Sequence, residues 1–560
     1  MNYYIQLKKS NCKNCYKCIR HCPVKSIRFA DHQANIVKEQ CILCGECFVA
    51  CPQNAKHIRD DVSKVKQMIS TGKPVYASIA PAFAANYPEA DLASLSEALQ
   101  KLGFTGAQET AIGATIVKKR YEEMVSAGTG KVIISSCCHT VNSLIQKHYP
   151  EALPYLAEVL SPMQAHCMKL KEAYPDAYTV FIGPCISKKE EAELYSGMVD
   201  CALTFEELSS WLTEEGITIS GKKASNSDQE GRARLFPVPG GILRSMIIEE
   251  AGYDFIAVDG IENCKKAIEN IISGDLSHCF IEMSACAGSC IGGPAMDQGH
   301  RALISDFVRI NHFAKEKDFQ LEAIPPQTLQ KKFSYLGTHT QMPGSAAIAE
   351  ILHKMGKATE EQELNCGSCG YNTCREKAIA VYQGKADLTM CLPFLKEKAE
   401  DFSDNIIYNM PDGVLVLNEE LVVQQINRAA RGILNIQNKS DILDAPVVRI
   451  LNPAIYLEVM TSGRNVHDKI TYLTDYQRYV EETVIYDRTY HIIISIMRDI
   501  TAEEKARLKK EQIDRQTIEI TDKVIEKQMR IVQEIASLLG ETTAETKIAL
   551  TNLKETLRNE

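Results

Sequence analysis

The sequence predicts an α+β protein of several domains in one chain. Three observations carry this reading. At 560 residues the chain exceeds what one hydrophobic core spans. Its 21 cysteines are confined to positions 12 to 391, so that 392 to 560 hold none. Apolar runs of strand length alternate with helical segments through the middle, and a charged helix with seven-residue apolar spacing closes the chain. The cysteines outnumber what packing needs, while no signal peptide and no apolar run of membrane-spanning length is present. Metal ligation in a reducing, anaerobic cytoplasm is therefore expected, and not a disulfide scaffold. A net charge of -9 with interspersed signs offers no broad basic surface for nucleic acid.

Residues 1–60 contain an internal repeat. Cys12, Cys15, Cys18 and Cys22 precede Pro23, and the same spacing returns in Cys41, Cys44, Cys47 and Cys51 before Pro52. This is the spacing of two-cluster ferredoxins, in which three close thiolates hold one cubane and the fourth crosses to the other. Cys12, Cys15, Cys18 and Cys51 are expected on one 4Fe-4S cluster, and Cys41, Cys44, Cys47 and Cys22 on the second. Zinc knuckles are the alternative, but the doubled spacing with trailing prolines is specific to the cluster pair. Two adjacent clusters make an electron wire.

A third set falls in residues 326–398. Cys366, Cys369 and Cys374 occupy a Gly-rich loop whose turns let backbone amides approach sulfur, and Cys391 follows a short helix. Spacing alone leaves zinc open. The company of two ferredoxin-type clusters favours a third 4Fe-4S site.

Residues 61–325 alternate between strand-like and helical runs. "KVIISSCC", "AYTVFIGPC" and "CFIEMSACAG" are short apolar runs ending in small or cysteine residues. Ligands collect where the strands of α/β folds end, so Cys138, Cys185, Cys286 and Cys290 read as a site. Cys167, Cys201, Cys264 and Cys279 have no motif around them and read as packing residues.

"SSCCHT", "FIGPCISKKEEAE" and "FIEMSACAGSCIGGPA" resemble, in order and spacing, the three signature loops of the FeFe hydrogenases, and the resemblance covers residues 1 to about 395. It implies an H-cluster: a 4Fe-4S cubane joined through one cysteine to a two-iron unit bearing CO, cyanide and an azadithiolate bridge. By position, Cys138, Cys185, Cys286 and Cys290 would hold the cubane, with Cys290 bridging to the two-iron unit. Lys188 would donate to a cyanide ligand, since a buried ammonium needs an anionic acceptor. Cys137, which in an extended segment faces away from Cys138, would be the free thiol that passes protons to the bridging amine. Glu191 keeps the position of a relay acid, and Glu282 remains in the third loop.

The departures from the family are as specific. His139 and Thr140 follow the first loop's cysteines in place of Pro and an aromatic, and Gly183 and Ser284 stand where two methionines would flank the two-iron unit. Both thioethers are expected to be missing. Gly113, Ala114, Thr115 and Ile116 stand where the family carries glutamates for proton delivery. A broken relay slows turnover but leaves hydrogen binding intact.

Residues 399–501 read as strand, tight turn, strand and helix, then two alternating strands around Asp487-Arg488. This order resembles a PAS domain ending in its Asp-Ile-Thr exit, Asp499 to Thr501. His467 and His491 are read as surface or strand residues before haem ligands, and the absence of cysteine excludes a flavin-thiol adduct. Residues 502–560 carry Ile518, Ile525, Val532 and Leu539 seven apart, which predicts a coiled coil and a parallel homodimer.

The expected function is a hydrogenase of low turnover acting on hydrogen and protons. It would read hydrogen or redox state and report it through the PAS domain to a separate effector, a kinase or phosphatase, because no such motif follows in the chain. Signal would pass by the Cys366 to Cys391 cluster, which lies between the H-cluster and PAS domains in sequence. A turnover hydrogenase exchanging electrons with ferredoxin is the second reading, and an iron-sulfur carrier lacking the two-iron unit the third. Lys188 and Cys137 argue against the carrier, because neither has a purpose without the two-iron unit.

Overall fold

The computed structural model describes residues 3–128, 131–219, 221, 230–248, 252–297, 304–337 and 341–556. They fall into two compact units, Met1–Leu395 and Lys396–Glu560.

The first unit opens with the doubled cysteine repeat. Strand Ile5–Leu7 pairs antiparallel with Lys56–Ile58, tying the ends of the repeat together, and Ile27–Ala30 pairs antiparallel with Gln33–Ile36. Each half carries a one-turn helix, Lys17–Arg20 and Glu46–Val49. Cys18, Cys22, Cys41 and Cys47 sit in the core beside Ile5, Ile19, Ile27 and Leu43. A module of this size with thiols in its core has little apolar mass of its own.

Two parallel sheets follow. One has the spatial order Gly106–Glu109, Val75–Ile79, Tyr178–Gly183, Cys201–Thr204. The other has the order Asp254–Asp259, Cys279–Ser284, Ile133–Ile134. Central parallel strands are covered on both faces, which is why Val75, Ala77 and Ile79, or Val180, Phe181 and Ile182, are all buried without alternation. Helices Ala111–Ser126 and Pro162–Ala173 cross at Gly113, where a Cβ would lie 2.2 Å from the Pro162 carbonyl oxygen and 2.7 Å from His166 Cβ. Only glycine admits that approach.

A strap then runs back over the lobe that precedes it. After the turn Pro326–Leu329, Leu160 N–H donates to Leu329 O at 2.9 Å, Lys331 N–H to Glu158 O at 3.2 Å, and Leu336 N–H to Gln146 O at 2.9 Å. The 366–391 loop itself packs on the N-terminal module: Cys369, Tyr371 and Met390 share its core, and Lys25 Nζ donates to Gly370 O at 3.1 Å.

The second unit contains a five-stranded antiparallel sheet, ordered Val423–Ile426, Gly413–Asn418, Ile492–Asp499, Arg478–Asp487, Val466–Leu473. Leu415, Leu417, Val480, Val484 and Ile493 alternate into a core closed by helices Arg428–Ile433 and Ala454–Ser462. His467 is exposed, and exposed His491 forms a 2.9 Å hydrogen bond with Glu419. The last strand passes into helix Thr501–Thr556, whose first turn is fixed by Thr501 N–H donating to Asp499 Oδ1 at 3.0 Å. Ile518, Ile525, Val532 and Leu539 are each more than half exposed on this helix, at 61%, 53%, 55% and 61%. Among the described residues no helix is long and apolar enough to cross a membrane.

Candidate functional site

The carboxyl ends of strands from both parallel sheets converge on one cavity of about 110 Å³. Its wall includes Cys137, Cys138, Cys185 and Cys290, together with Lys188 and Glu282. Cys138 caps the start of helix His139–His148, and Cys185 lies between strand Tyr178–Gly183 and helix Ser187–Leu194. Cys290 sits in the turn Ser289–Gly292 and lines the cavity. Cys286 lies beside these three: burial raises its thiol well above the ordinary range, and Cys185, Cys138 and Cys290 add to the shift. The backbone that presents this last pair is held by Gly288 N–H donating to Asp259 Oδ2 at 2.7 Å.

Cys137 and Cys138 do diverge, but not as full opposites. Cys138 packs on the core around Val141 and Ile281, Cys137 on the core around Tyr121 and Phe280, and both still reach the cavity. Tyr121, which nothing in its helix singles out, accepts from Ser136 N–H at 2.9 Å and places its hydroxyl 3.3 Å from Cys137 Sγ. Burial pushes the Cys137 thiol up to about 12, against the Tyr121 hydrogen bond and Lys188. Burial thus favours the neutral thiol.

Lys188 Nζ donates to Glu191 Oε2 at 2.5 Å and to the carbonyl of Cys137 at 3.0 Å. Burial alone would lower its pKa, but Glu191, and then Cys185, raise it. Glu191 is fully buried, and although desolvation favours its neutral form, Lys188 and Lys331 hold it well below the usual carboxylate range. Lys331 was not anticipated, since the strap carries no motif. Glu282 is pushed up to about 7 by burial, against backbone amides that include Leu243 N–H at 3.1 Å.

Two departures have a steric basis. A Cβ on Gly183 would lie 2.7 Å from Phe181 Cζ and 3.0 Å from Ala80 Cβ, so no methionine fits there. Both loop positions, Gly183 and Ser284, thus lack a thioether, but sulfur is still present in the cavity. Met163 and Met283 stand in the cavity wall, reaching it from a helix and from a strand end outside the two loop positions. A glutamate at Gly113 has no room either, because His166 and Pro162 occupy that space. Cys167, Cys201, Cys264 and Cys279 are buried in apolar clusters and line none of the cysteine-lined cavities, although Cys264 feels the charge of Cys138.

The remaining cysteines are gathered in three further cavities. Cys12, Cys15, Cys18 and Cys51 line one, and burial followed by the coulombic influence of the other three drives Cys18 to about 11, with only Lys56 opposing. Cys22, Cys41, Cys44 and Cys47 line a second, and Cys366, Cys369, Cys374 and Cys391 a third. Among the described residues no three His, Cys, Asp or Glu side chains converge on a single-ion site. The thiols instead surround enclosed spaces, and an all-thiolate donor set suits iron-sulfur clusters.

Fold and cavities together define an iron-sulfur protein with an α/β domain of the hydrogenase type. Residues 73–294 match the family described as the iron-only hydrogenase large subunit, C-terminal domain, residues 4–68 a 4Fe-4S dicluster domain, and 362–393 an Fe-S cluster family. The chain is similar to the periplasmic Fe hydrogenase large subunit of Nitratidesulfovibrio vulgaris, 27% identical over 363 residues, covering 52% of this chain and 86% of that one. It is also similar to iron hydrogenase 1 of Clostridium pasteurianum, 23% identical over 281 residues, covering 40% of this chain and 49% of that one. A solved FeFe hydrogenase of Chlamydomonas reinhardtii superposes with a TM-score of 0.38 at 18% identity, over 50% of this chain and 100% of its own. Residues 73–294 are thus similar to the large-subunit domain of the FeFe hydrogenases, within a hydrogenase-like iron-sulfur protein.

Proposed function

We propose that the chain binds and reversibly oxidises hydrogen at an H-cluster, and serves as a hydrogen or redox sensor that signals through a PAS domain to a separate effector. The observation that carries the reading is the cavity on which Cys138, Cys185, Cys290, Lys188 and the free thiol of Cys137 meet, with Cys286 at its edge. When bound, the H-cluster supplies the metal at which hydrogen is split into two protons and two electrons. In this reading Cys138, Cys185, Cys286 and Cys290 hold the cubane, and Lys188 donates to an anionic ligand of the two-iron unit. Cys137 carries the proton, with its thiol oriented by the Tyr121 hydroxyl at 3.3 Å. Electrons would leave through an iron-sulfur cluster that Cys22, Cys41, Cys44 and Cys47 would hold. Cys44 is near enough to Cys286 to influence it electrostatically, which supports a direct step between the two sites. Cys12, Cys15, Cys18 and Cys51 then face outward towards a redox partner such as ferredoxin.

Matured protein should show CO and cyanide infrared bands that shift under hydrogen. A cubane signal by electron paramagnetic resonance without such bands would place the protein among iron-sulfur carriers.

The sensor part is supported by the altered loops, the strand order of the second unit and the exposed apolar face of helix Thr501–Thr556, which a second copy in a parallel homodimer would cover. Hydrogen should change amide exchange over residues 500 to 540 of the matured dimer, because a sensor must bias a two-state element distant from its ligand. Identical exchange with and without hydrogen would leave that helix a dimerisation device and favour the turnover hydrogenase.

A further inference from the structure

Glu191 is shared by two buried lysines, and the two are unequally occupied. Lys331 Nζ donates to Glu191 Oε1 at 2.5 Å and to Gln164 Oε1 at 3.0 Å, and lies 4.2 Å from the centroid of the Tyr195 ring. Its side chain is 1% exposed, and all three faces of the ammonium are engaged within protein. Lys188 Nζ donates to Glu191 Oε2 at 2.5 Å and to Cys137 O at 3.0 Å, lines the cavity, and keeps a third N–H. Ser161 Oγ completes the carboxylate by donating to Oε2 at 3.1 Å. One carboxylate thus faces two ammonium groups. Beside it, Glu190 is joined to His139 at 3.1 Å and lies 3.9 Å from Lys147 Nζ, and His139 Nδ1 is 4.0 Å from Glu191.

A buried excess of positive charge is costly unless an anion completes it. With Glu191 Oε1 satisfied by Lys331, Lys188 has no rival demand from that oxygen, and its own side chain lines the cavity. The position of Lys331 comes from the strap of residues 326–337, which is anchored by backbone hydrogen bonds to Glu158, Leu160 and Gln146 and continues towards the Cys366 to Cys391 loop.

We infer that Lys331 is a positioning residue: it neutralises Glu191 so that Lys188 stays available to an anionic ligand of the bound cofactor. The inference rests on the hydrogenase reading above, and on no titration.

The test is infrared spectroscopy of matured full-length Lys331→Met and Lys331→Arg protein beside the wild type, with iron content and circular dichroism measured in parallel. Methionine keeps the length and the contact with Tyr195 but removes the charge. In Lys331→Met the cyanide bands should move beyond their linewidth, or be lost with the iron of the four cubanes retained, and Lys331→Arg should restore them. Bands in Lys331→Met that coincide with the wild type overturn the inference. So does a variant that loses cubane iron or helical signal, because Lys331 would then be a structural brace. Absence of the bands from the wild type itself, with cubanes present, overturns the hydrogenase reading and the inference with it.

Discussion

Cys137→Ala should leave the cluster site assembled and lower hydrogen turnover more than tenfold, a barrier increase above about 1.4 kcal/mol. The four proposed cubane ligands are untouched by this change. The Lys188 contact to residue 137 is made to the backbone carbonyl, so it survives as well. What is lost is the thiol whose high pKa keeps it protonated in the cavity wall, 3.3 Å from the Tyr121 hydroxyl. Infrared bands identical to the wild type combined with slow uptake would support the relay role. Unchanged uptake would make Cys137 a packing residue and send protons elsewhere, with Glu282, which titrates near neutrality, the next group on the wall.

Gly113→Glu, the substitution that would seem to restore a family glutamate, should instead destabilise the first unit by about 3 kcal/mol or more. Its Cβ would fall 2.2 Å from the Pro162 carbonyl oxygen and 2.8 Å from His166 N, both backbone atoms of a helix that cannot yield without leaving the sheet. The denaturation midpoint of cluster-loaded protein reads this directly, and the expected outcome is a large drop or insoluble protein. A stable Gly113→Glu protein with faster turnover would show that the two helices can part. Proton transfer in this chain would then be limited only by the missing acid.

Much of this architecture is legible in the residues. Cysteine spacing announces ligand sets because a cubane imposes its own geometry on a short loop, and the apolar runs that stop at Cys138, Cys185 and Cys286 mark strand ends. In the second unit Gly413–Asn418, Val423–Ile426 and the final hairpin read directly from period-two alternation. Strand Val466–Leu473 did not, since it is an edge strand with mostly exposed side chains and no apolar rhythm. What the sequence hides are partners remote along the chain. Lys331 is 140 positions from the carboxylate it binds, Tyr121 is 16 from the thiol it contacts, and Met163 and Met283 approach the cavity from positions where no loop motif looks for sulfur. Gly113 and Gly183 look like losses in the sequence, yet each is fixed by a neighbour already in its space.

The placement of the 366–391 loop bears on how charge would flow. Tyr371 of that loop is influenced by Cys22, whose cavity also holds Cys44, the neighbour of Cys286. Loaded with clusters, the Cys22, Cys41, Cys44, Cys47 site would be a junction with three arms, and the 366–391 site would be a side branch off it. With a cluster bound there, an added electron would raise the electrostatic cost of reducing the neighbouring Cys22, Cys41, Cys44, Cys47 site, so the branch would act like a gate electrode beside a conductor and tune how readily current passes.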